Sequence, residues 1–492
     1  MTELQRADLE RIRNFTGAYP RPLWYLFATE MWERFCFYGL RGMLAVFMVD
    51  QLGLNEVEAN LQYGAIQAFV YAFTFLGGVL ADKVLGFQKS LFWGALLMIA
   101  GGMVLAWDPQ GLFYWGISLN IIGTGFFKPN ISTMVGQLYH ENDTRRDAGF
   151  SLFYSGINLG AFFGGLLMIY VGKYHSWPMA FALVAVVMFL ALVTFLFTRK
   201  SLGPIGLSPL EGPRAKGYEW AVYAGSLVAL PLILLMVTQS AYTDAFMYTI
   251  GPLTLLYMGW EMRTFTPAEN RKLLAALVFI VFSILFWSFF EQAGGSLSLF
   301  ALNNVSPDLF GLNIDPNATN NSSNSLFVIL FAPLMGLVWV ALAKRKREPN
   351  SVVKFGLSFL LLAAAFGIFH ATVYWASPEG LTSHELFLLG YFVITFAELF
   401  LSPIGLSLMT KLSPNRIQGL MMGMWFLASA YGQYVAGLLG AGMASVDPQQ
   451  SNLERLIGYT DGYAYLAVVA LGGGMLLLVI SPLIRRLMGT IH

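Results

Sequence analysis

Apolar runs long enough to cross the ~30 Å hydrocarbon layer, which takes about 20 helical residues at a rise of ~1.5 Å, recur along the whole of this chain. Fourteen are legible, at 22–50, 57–82, 89–107, 111–138, 148–172, 176–198, 219–239, 242–261, 272–301, 323–343, 352–374, 384–411, 416–444 and 460–488. No water inside lipid satisfies backbone N–H and C=O groups, so each run has to close its hydrogen bonds within itself, as an α-helix does. The expected fold class is all-α and integral to the membrane, with the lipid bilayer as its surroundings. Composition agrees: 57% of the 492 residues are hydrophobic and 12% charged, and mean hydropathy is +0.61. The polar first 20 residues lack a basic region followed by an apolar one and a small-residue cleavage site, so no cleaved signal peptide is expected.

Orientation follows from the Lys/Arg bias of the short loops. On the side of the N-terminus lie Arg6, Arg11, Arg13, Arg21, Lys83, Lys89, Arg145, Arg146, Arg199, Lys200, Arg214 and Lys216. The same side continues with Arg263, Arg271, Lys272, the run Lys344–Arg347, Lys354, Lys411, Arg416, Arg485 and Arg486. The opposite loops hold Lys173 and Arg455 against Asp50, Glu56, Glu58, Asp108, Asp308 and Asp315. With an even number of spans, both termini are expected on the cytoplasmic side. The net charge of +1 argues against nucleic acid, which needs a concentrated basic surface. Cys36 is the single cysteine, which excludes an intramolecular disulfide and any cysteine-based metal site.

The pair of spans at 219–261 follows a Gly/Pro-rich stretch, Leu202 to Pro213, and reads as an inserted hairpin. Three parts result: a six-helix bundle at 1–203, the linker and inserted transmembrane hairpin at 204–264, and a second six-helix bundle at 265–492. This layout of two six-helix bundles resembles the major facilitator superfamily fold. The stretch Gly77 to Lys89 sits where that superfamily carries a Gly/Asp/basic loop motif, and the basic turn Lys344 to Lys354 sits at the matching place in the second half. Two-half transporters bind substrate near the midplane where the halves meet. The Asn/Ser-rich segment 303–325 is expected to be an external loop, its Asn-x-Ser/Thr matches at Asn304, Asn317, Asn320 and Asn321 reflecting composition rather than glycosylation.

The first span carries four formal charges, Glu30, Glu33, Arg34 and Arg41, inside an otherwise apolar segment. At ~100° per residue these, with Phe37 and Tyr38, fall within an arc of roughly 140°. Ionisable groups at membrane depth cost from ~3 to over 10 kcal/mol each and mark transport paths by default. The others at depth are Lys128, Glu291 and Glu398, so that, with the inserted pair set aside, the charges lie on helices 1, 4, 7 and 10. Each is next to helix-loosening residues: Lys128 beside Gly125 and Pro129, Glu291 before Gly294 and Gly295, Glu398 before Pro403 and Gly405. The first half is relatively positive and the second negative. Such a cavity suits a zwitterion, carboxylate toward the first half and ammonium toward the second, with Tyr38, Tyr71, Trp287 and Trp425 lining side-chain pockets. The alternative is that these charges are fixed structural pairs, which add little net stability compared with apolar packing.

Glu30-Met-Trp-Glu33-Arg34-Phe35 resembles the ExxERF signature of the proton-dependent oligopeptide transporter, or POT, family. Phe153-Tyr-Ser-Gly-Ile-Asn-Leu-Gly160 is similar to its FYxxINxG signature, and Gly125 to Asn130 to its helix 4 segment. The resemblance covers the full length, and the inserted pair is of the bacterial type. It implies a proton-coupled symporter importing di- and tripeptides across the bacterial cytoplasmic (inner) membrane by alternating access, not an enzyme, and with no cofactor beyond the proton as coupling ion. Carried over to this chain, Glu30, Glu33, Arg34 and Glu291 belong to proton coupling. The substrate-binding set is Arg41, Tyr38, Tyr71, Lys128, Asn158, Trp287, Asn324, Glu398, Ser402, Trp425 and Ser429. The gate pairs are Arg41 with Glu291 and Lys128 with Glu398. Phe37 precedes Tyr38 where many bacterial members have two tyrosines, which bears on substrate preference.

Two alternatives stay open at this stage. A family member moving nitrate or another anion gains nothing from Glu291 and Glu398. An integral-membrane enzyme needs a polar catalytic constellation at an interface, whereas His140, His175, His370, His384 and His492 are scattered and no Asp-rich motif is present.

Overall fold

Long apolar stretches of this chain form helices, several of which carry a proline inside them, at Pro129, Pro231, Pro252, Pro333 and Pro482. A computed structural model describes residues 3–140, 143, 145–401, 405–445, 447 and 449–489. In order the helices are α1 (Glu3–Arg13), α2 (Arg21–Asp50), α3 (Glu56–Leu80), α4 (Phe87–Trp107), α5 (Phe113–Gln137), α6 (Arg146–Tyr174), α7 (Trp177–Arg199), α8 (Pro213–Thr238) and α9 (Ser240–Glu261). They continue as α10 (Pro267–Phe290), α11 (Ser296–Asn304), α12 (Pro316–Lys344), α13 (Ser351–Ala371), α14 (His384–Leu401), α15 (Gly405–Leu412), α16 (Gln418–Met443) and α17 (Asn452–Met488). A two-stranded antiparallel ribbon, β1 (Asp308–Leu309) and β2 (Leu312–Asn313), precedes α12. Among the described residues ten segments are long and apolar enough to cross a membrane. Helices α2, α5, α9 and α16 lie over the other four runs expected from sequence.

The expected span 272–301 is made of two helices, α10 and α11, divided by a 3-10 turn at Glu291–Gly294, while in 384–411 α14 and α15 flank residues 402–404, which lie outside the described residues. The segment 303–325 departs from the expected loop, because α12 already starts at Pro316. The Asp315 side chain caps this start by accepting from the backbone N–H groups of Asn317 and Ala318 at 2.8 and 3.1 Å, and proline stands at the first helical position. The asparagines are then internal rather than solvated: Asn304, Asn317 and Asn320 are buried, and Asn317 donates to the Ser298 carbonyl at 2.7 Å.

Packing divides the chain into two compact units. One is Met1–Met43 with Phe69–Thr238, the other Leu44–Ala68 with Gln239–His492. The division falls within α2, within α3 and between α8 and α9, and so differs from the boundaries 1–203, 204–264 and 265–492 drawn from composition. The inserted hairpin is shared out. In the first unit α8 is held on α4 by an ion pair of Lys89 with Glu219 and by Trp93 Nε1 donating to Ser226 Oγ at 3.0 Å. In the second unit α9 is held on α16, where the hydroxyls of Tyr431 and Tyr434 donate to the Met247 carbonyl and to Asp244 Oδ1. The Gly/Pro-rich linker is also packed, with Leu202 and Ile205 buried and Gln88 donating to the Ile205 carbonyl at 2.7 Å.

Within each unit small residues set the helix spacing. A Cβ on Gly94 of α4 would lie 2.6 Å from the Gly123 carbonyl of α5, and one on Gly64 of α3 would lie 2.7 Å from the Gly437 Cα of α16. Lipid supplies no hydrophobic drive between such helices, so close backbone approach and van der Waals contact do the work.

Candidate functional site

In the first unit the charged face of α2 is buried: Glu30, Glu33 and Arg34 are 3%, 0% and 2% exposed. Their spacing puts them on adjoining turns, and the one guanidinium serves both acids. Arg34 Nε lies 3.1 Å from Glu30 Oε1 and also pairs with Glu33. Glu30 Oε2 and Arg34 Nη2 are buried with no hydrogen bond to another protein atom among the described residues. Gly160 of the FYxxINxG stretch lets α6 close on this face, since a Cβ there would come within 3.0 Å of the Arg34 Cβ.

The next turns of α2 present aromatics to cations. Arg34 lies 4.9 Å from the Phe37 ring centroid, Arg41 lies 5.8 Å from that of Tyr38, and Lys128 Nζ lies 4.4 Å from that of Tyr71 and 5.5 Å from that of Phe37. A ring face attracts a cation without neutralising it. Pro129, inside α5, cannot donate to the Gly125 carbonyl, and it places Lys128 at a locally loosened turn. Asn130 anchors that turn by donating to Ser90 Oγ at 2.8 Å and to the Phe126 carbonyl at 2.6 Å. Asn158 is buried on α6 and donates to the Tyr154 carbonyl of its own helix at 3.0 Å.

In the second unit Glu291 is buried at the first residue of the 3-10 turn that interrupts the α10–α11 span. Asn324 of α12 donates to Glu398 Oε2 at 2.9 Å and to Thr395 Oγ1 at 3.2 Å on α14, so these two predicted residues are brought together. Trp287 packs edge-on against Phe286 and Phe290 with ring centroids 5.4 Å away in both cases. Trp425 is buried on α16, and Ser429 Oγ donates to its carbonyl at 3.4 Å. Ser402 and Pro403 lie outside the described residues.

Several polar groups were missed by reading the chain as spans and loops. Glu56, taken as an external loop charge, is buried in the first turn of α3, where it accepts from Tyr459 OH and from Asn303 at 2.9 Å and lies 3.7 Å from Arg455. The α12–α14 seam carries two further contacts, His384 with Thr319 and Tyr391 with Asn320. The signal was present in the spacing of Asn317, Asn320 and Asn324, which is helical, but it lay in a segment read as loop.

A model of the POT family, PTR2, matches residues 88–453. Peptide transporter YePEPT of Yersinia enterocolitica is 35% identical, with 97% of this chain and 96% of that protein covered. Dipeptide and tripeptide permease A of Escherichia coli is 28% identical, with 95% and 93% covered. A crystal structure of peptide transporter POT in complex with sulfate is similar at a TM-score of 0.84 and 33% identity, covering 98% of this chain and 99% of that one. A POT family transporter in complex with 5-aminolevulinic acid is similar at 0.83 and 30% identity, covering 97% and 99%. The family model and the full-length relatives agree with the buried Glu30–Glu33–Arg34 face and its sequence signature: the chain belongs to the POT family.

Proposed function

We propose that this protein is a proton-coupled symporter that imports di- and tripeptides across the cytoplasmic membrane of a bacterium by alternating access, with both termini cytoplasmic. The observation that carries this reading is the buried α2 face on which one arginine holds two carboxylates. With Arg34 present one carboxylate stays ionised while the other takes up and releases a proton, because an opposite charge at hydrogen-bond range favours the ionised form of its nearer partner. Glu291 joins this coupling set. Arg41 and Lys128 receive the peptide carboxylate; Glu398, positioned by Asn324, receives its ammonium. Tyr38, Tyr71, Trp287 and Trp425 line the side-chain space, with Asn158, Ser402 and Ser429 as further polar contacts. A relative crystallised with 5-aminolevulinic acid, a molecule with an amine at one end and a carboxylic acid at the other, supports a site that reads separated opposite charges.

In the empty state a cation of the first half pairs with an anion of the second, Arg41 with Glu291 and Lys128 with Glu398, since an unpaired buried charge costs several kcal/mol. Peptide and proton each take over one partner and release the halves to exchange between inward-open and outward-open states. Membrane potential adds ~2.3 kcal/mol per 100 mV for each charge moved across. Uptake of a labelled dipeptide into vesicles with and without an inward proton gradient tests the reading. Accumulation that follows the gradient is expected, and uptake indifferent to it overturns the coupling.

A further inference from the structure

The 3-10 turn Glu291–Gly294 breaks the run of α-helical hydrogen bonds along its span, since α10 ends at Phe290 and α11 begins at Ser296. Such a break leaves backbone groups on either side without their regular partners, and hydrocarbon holds no water to replace them. Gln292, buried at 1% exposure, reaches across the gap with its side chain. Its Nε2 donates to the Ser288 carbonyl in the last turn of α10 at 2.9 Å and to the Ala436 carbonyl of α16 at 3.0 Å. Its Oε1 accepts from the hydroxyl of Ser296, the first residue of α11, at 2.6 Å. In a continuous α-helix the Ser288 carbonyl accepts from the backbone N–H of residue 292; here the side chain of that same residue donates to it. One amide, with both N–H groups and its oxygen engaged, thus ties the two pieces of the broken span to each other and to a third helix.

Two further helices hold the same turn. Asn320 of α12 donates to the Ala293 carbonyl at 2.8 Å. From α3, Asn60 and Tyr63 press on the glycines that close the turn: a Cβ on Gly295 would lie 2.7 Å from Asn60 Oδ1, and one on Gly294 would overlap the Tyr63 hydroxyl. Glu291 sits at the joint between α10 and this clamped turn. Successive side chains of a 3-10 turn point ~120° apart, so the bearing of Glu291 is set once that of Gln292 is. Four-residue spacing places Gln292 on the face of Ser288 and Glu291 on the face of Trp287. Tying Gln292 to Ser288 and Ala436 therefore turns the neighbouring carboxylate onto the Trp287 side of the span.

We infer that Gln292 is a positioning residue for Glu291. It carries no proton and acts through the carboxylate beside it, which it holds to one direction at a joint where the helix itself no longer does so. Without the splint the Ser288 and Ala436 carbonyls lose their side-chain donor and the Ser296 hydroxyl its acceptor, and Glu291 is left on a loose turn followed by two glycines. A misplacement of ~1 Å in a site of this kind costs up to ~10²-fold in the step that needs the geometry. The inference rests on the proton-coupled reading above, in which Glu291 belongs to the coupling set.

The test reads the steady-state ratio of labelled dipeptide inside to outside reconstituted vesicles under an inward gradient of one pH unit. That plateau depends on how many protons accompany each peptide and not on how many carriers work or how fast, so a merely structural defect slows the approach and leaves the plateau where it was. With one proton per peptide the wild type should reach ~10. Gln292→Met, which keeps the length of the side chain and removes the amide, should reach about 3 or less, while its equilibrium affinity for the dipeptide stays within about threefold of wild type. A wild-type plateau in Gln292→Met overturns the positioning role, as does a fall in affinity of ~10-fold or more, which would mean that the turn shapes the peptide site as a whole. Should Gln292→Met fail to fold, Ser296→Ala decides: it removes only the bond to Oε1, and an unchanged plateau overturns the inference where a lowered one supports it. Glu291→Gln at the wild-type plateau refutes the coupling role of Glu291 itself, a result separable from failure of the splint.

Discussion

Replacing Glu33 by glutamine isolates the coupling chemistry from the fold. Glu33 is 0% exposed and shares Arg34 with Glu30, whose carboxylate lies 3.1 Å from the guanidinium. In the variant Arg34 and Glu30 remain a one-to-one pair, so no buried charge is stranded and the 3–5 kcal/mol cost of breaking such a pair is avoided. What is lost is a charge-assisted contact, about 1.5–3 kcal/mol, and a proton site. A gradient of about one pH unit supplies ~1.4 kcal/mol per proton, enough for ~10-fold accumulation if one proton accompanies each peptide. Glu33→Gln should therefore bring the steady-state ratio of labelled dipeptide inside to outside from ~10 to about 1 under that gradient, while counterflow persists. Reconstituted vesicles with an imposed pH gradient and a matched no-gradient control give both numbers. Undiminished accumulation in Glu33→Gln refutes the assignment, and loss of counterflow together with accumulation refutes the claim that the pair left behind preserves the site.

Peptides with an amidated C-terminus should compete for uptake at least ~30-fold more weakly than their free acids, the low end of what losing one partner of a buried charge pair costs, and equal inhibition would remove Arg41 and Lys128 from the carboxylate site. Lys128→Glu or Glu398→Lys alone should stop transport because each leaves like charges facing, whereas the double swap should regain exchange between labels on the two halves; a double variant as frozen as either single one would make Lys128 a purely substrate-binding cation. Asp143 accepts from the Arg145 backbone at 2.9 Å and from its guanidinium at 2.8 and 3.0 Å, and these bonds hold its carboxyl down at about 2. Because that value is depressed, the contribution of the pair is present above the unfolded carboxyl range of ~4 and is lost only as pH falls toward 2. Asp143→Asn should accordingly leave the pH profile of uptake between about 5 and 8 unchanged; a shifted profile would mean that the loop feeds the coupling proton.

How much of this protein was written in its sequence is clearest at α2. The clash between four charges and an apolar run is a local fact, and lipid leaves it one resolution, a polar face turned inward; the buried Glu30, Glu33 and Arg34 follow from it. The helical class and the places of the long helices were determined in the same way, because the backbone's demand for hydrogen bonds in hydrocarbon does not depend on neighbours.

Only tertiary structure decided which side chains meet. Glu56 reads as a loop acid until Tyr459, Asn303 and Arg455 arrive from residues hundreds of positions away to satisfy it. The Asn/Ser-rich stretch after Asp315 reads as a solvated loop until Tyr391, His384 and the Ala293 carbonyl accept and donate its hydrogen bonds, at which point a polar segment becomes a buried helix. The hairpin's two helices likewise went to different units, because Glu219 and Ser226 found partners on α4 while Asp244 and Met247 found theirs on α16. Periodicity reports what a residue needs. Which partner supplies it is a property of the packed chain, since a buried polar group is stable only beside a complement that local sequence does not name.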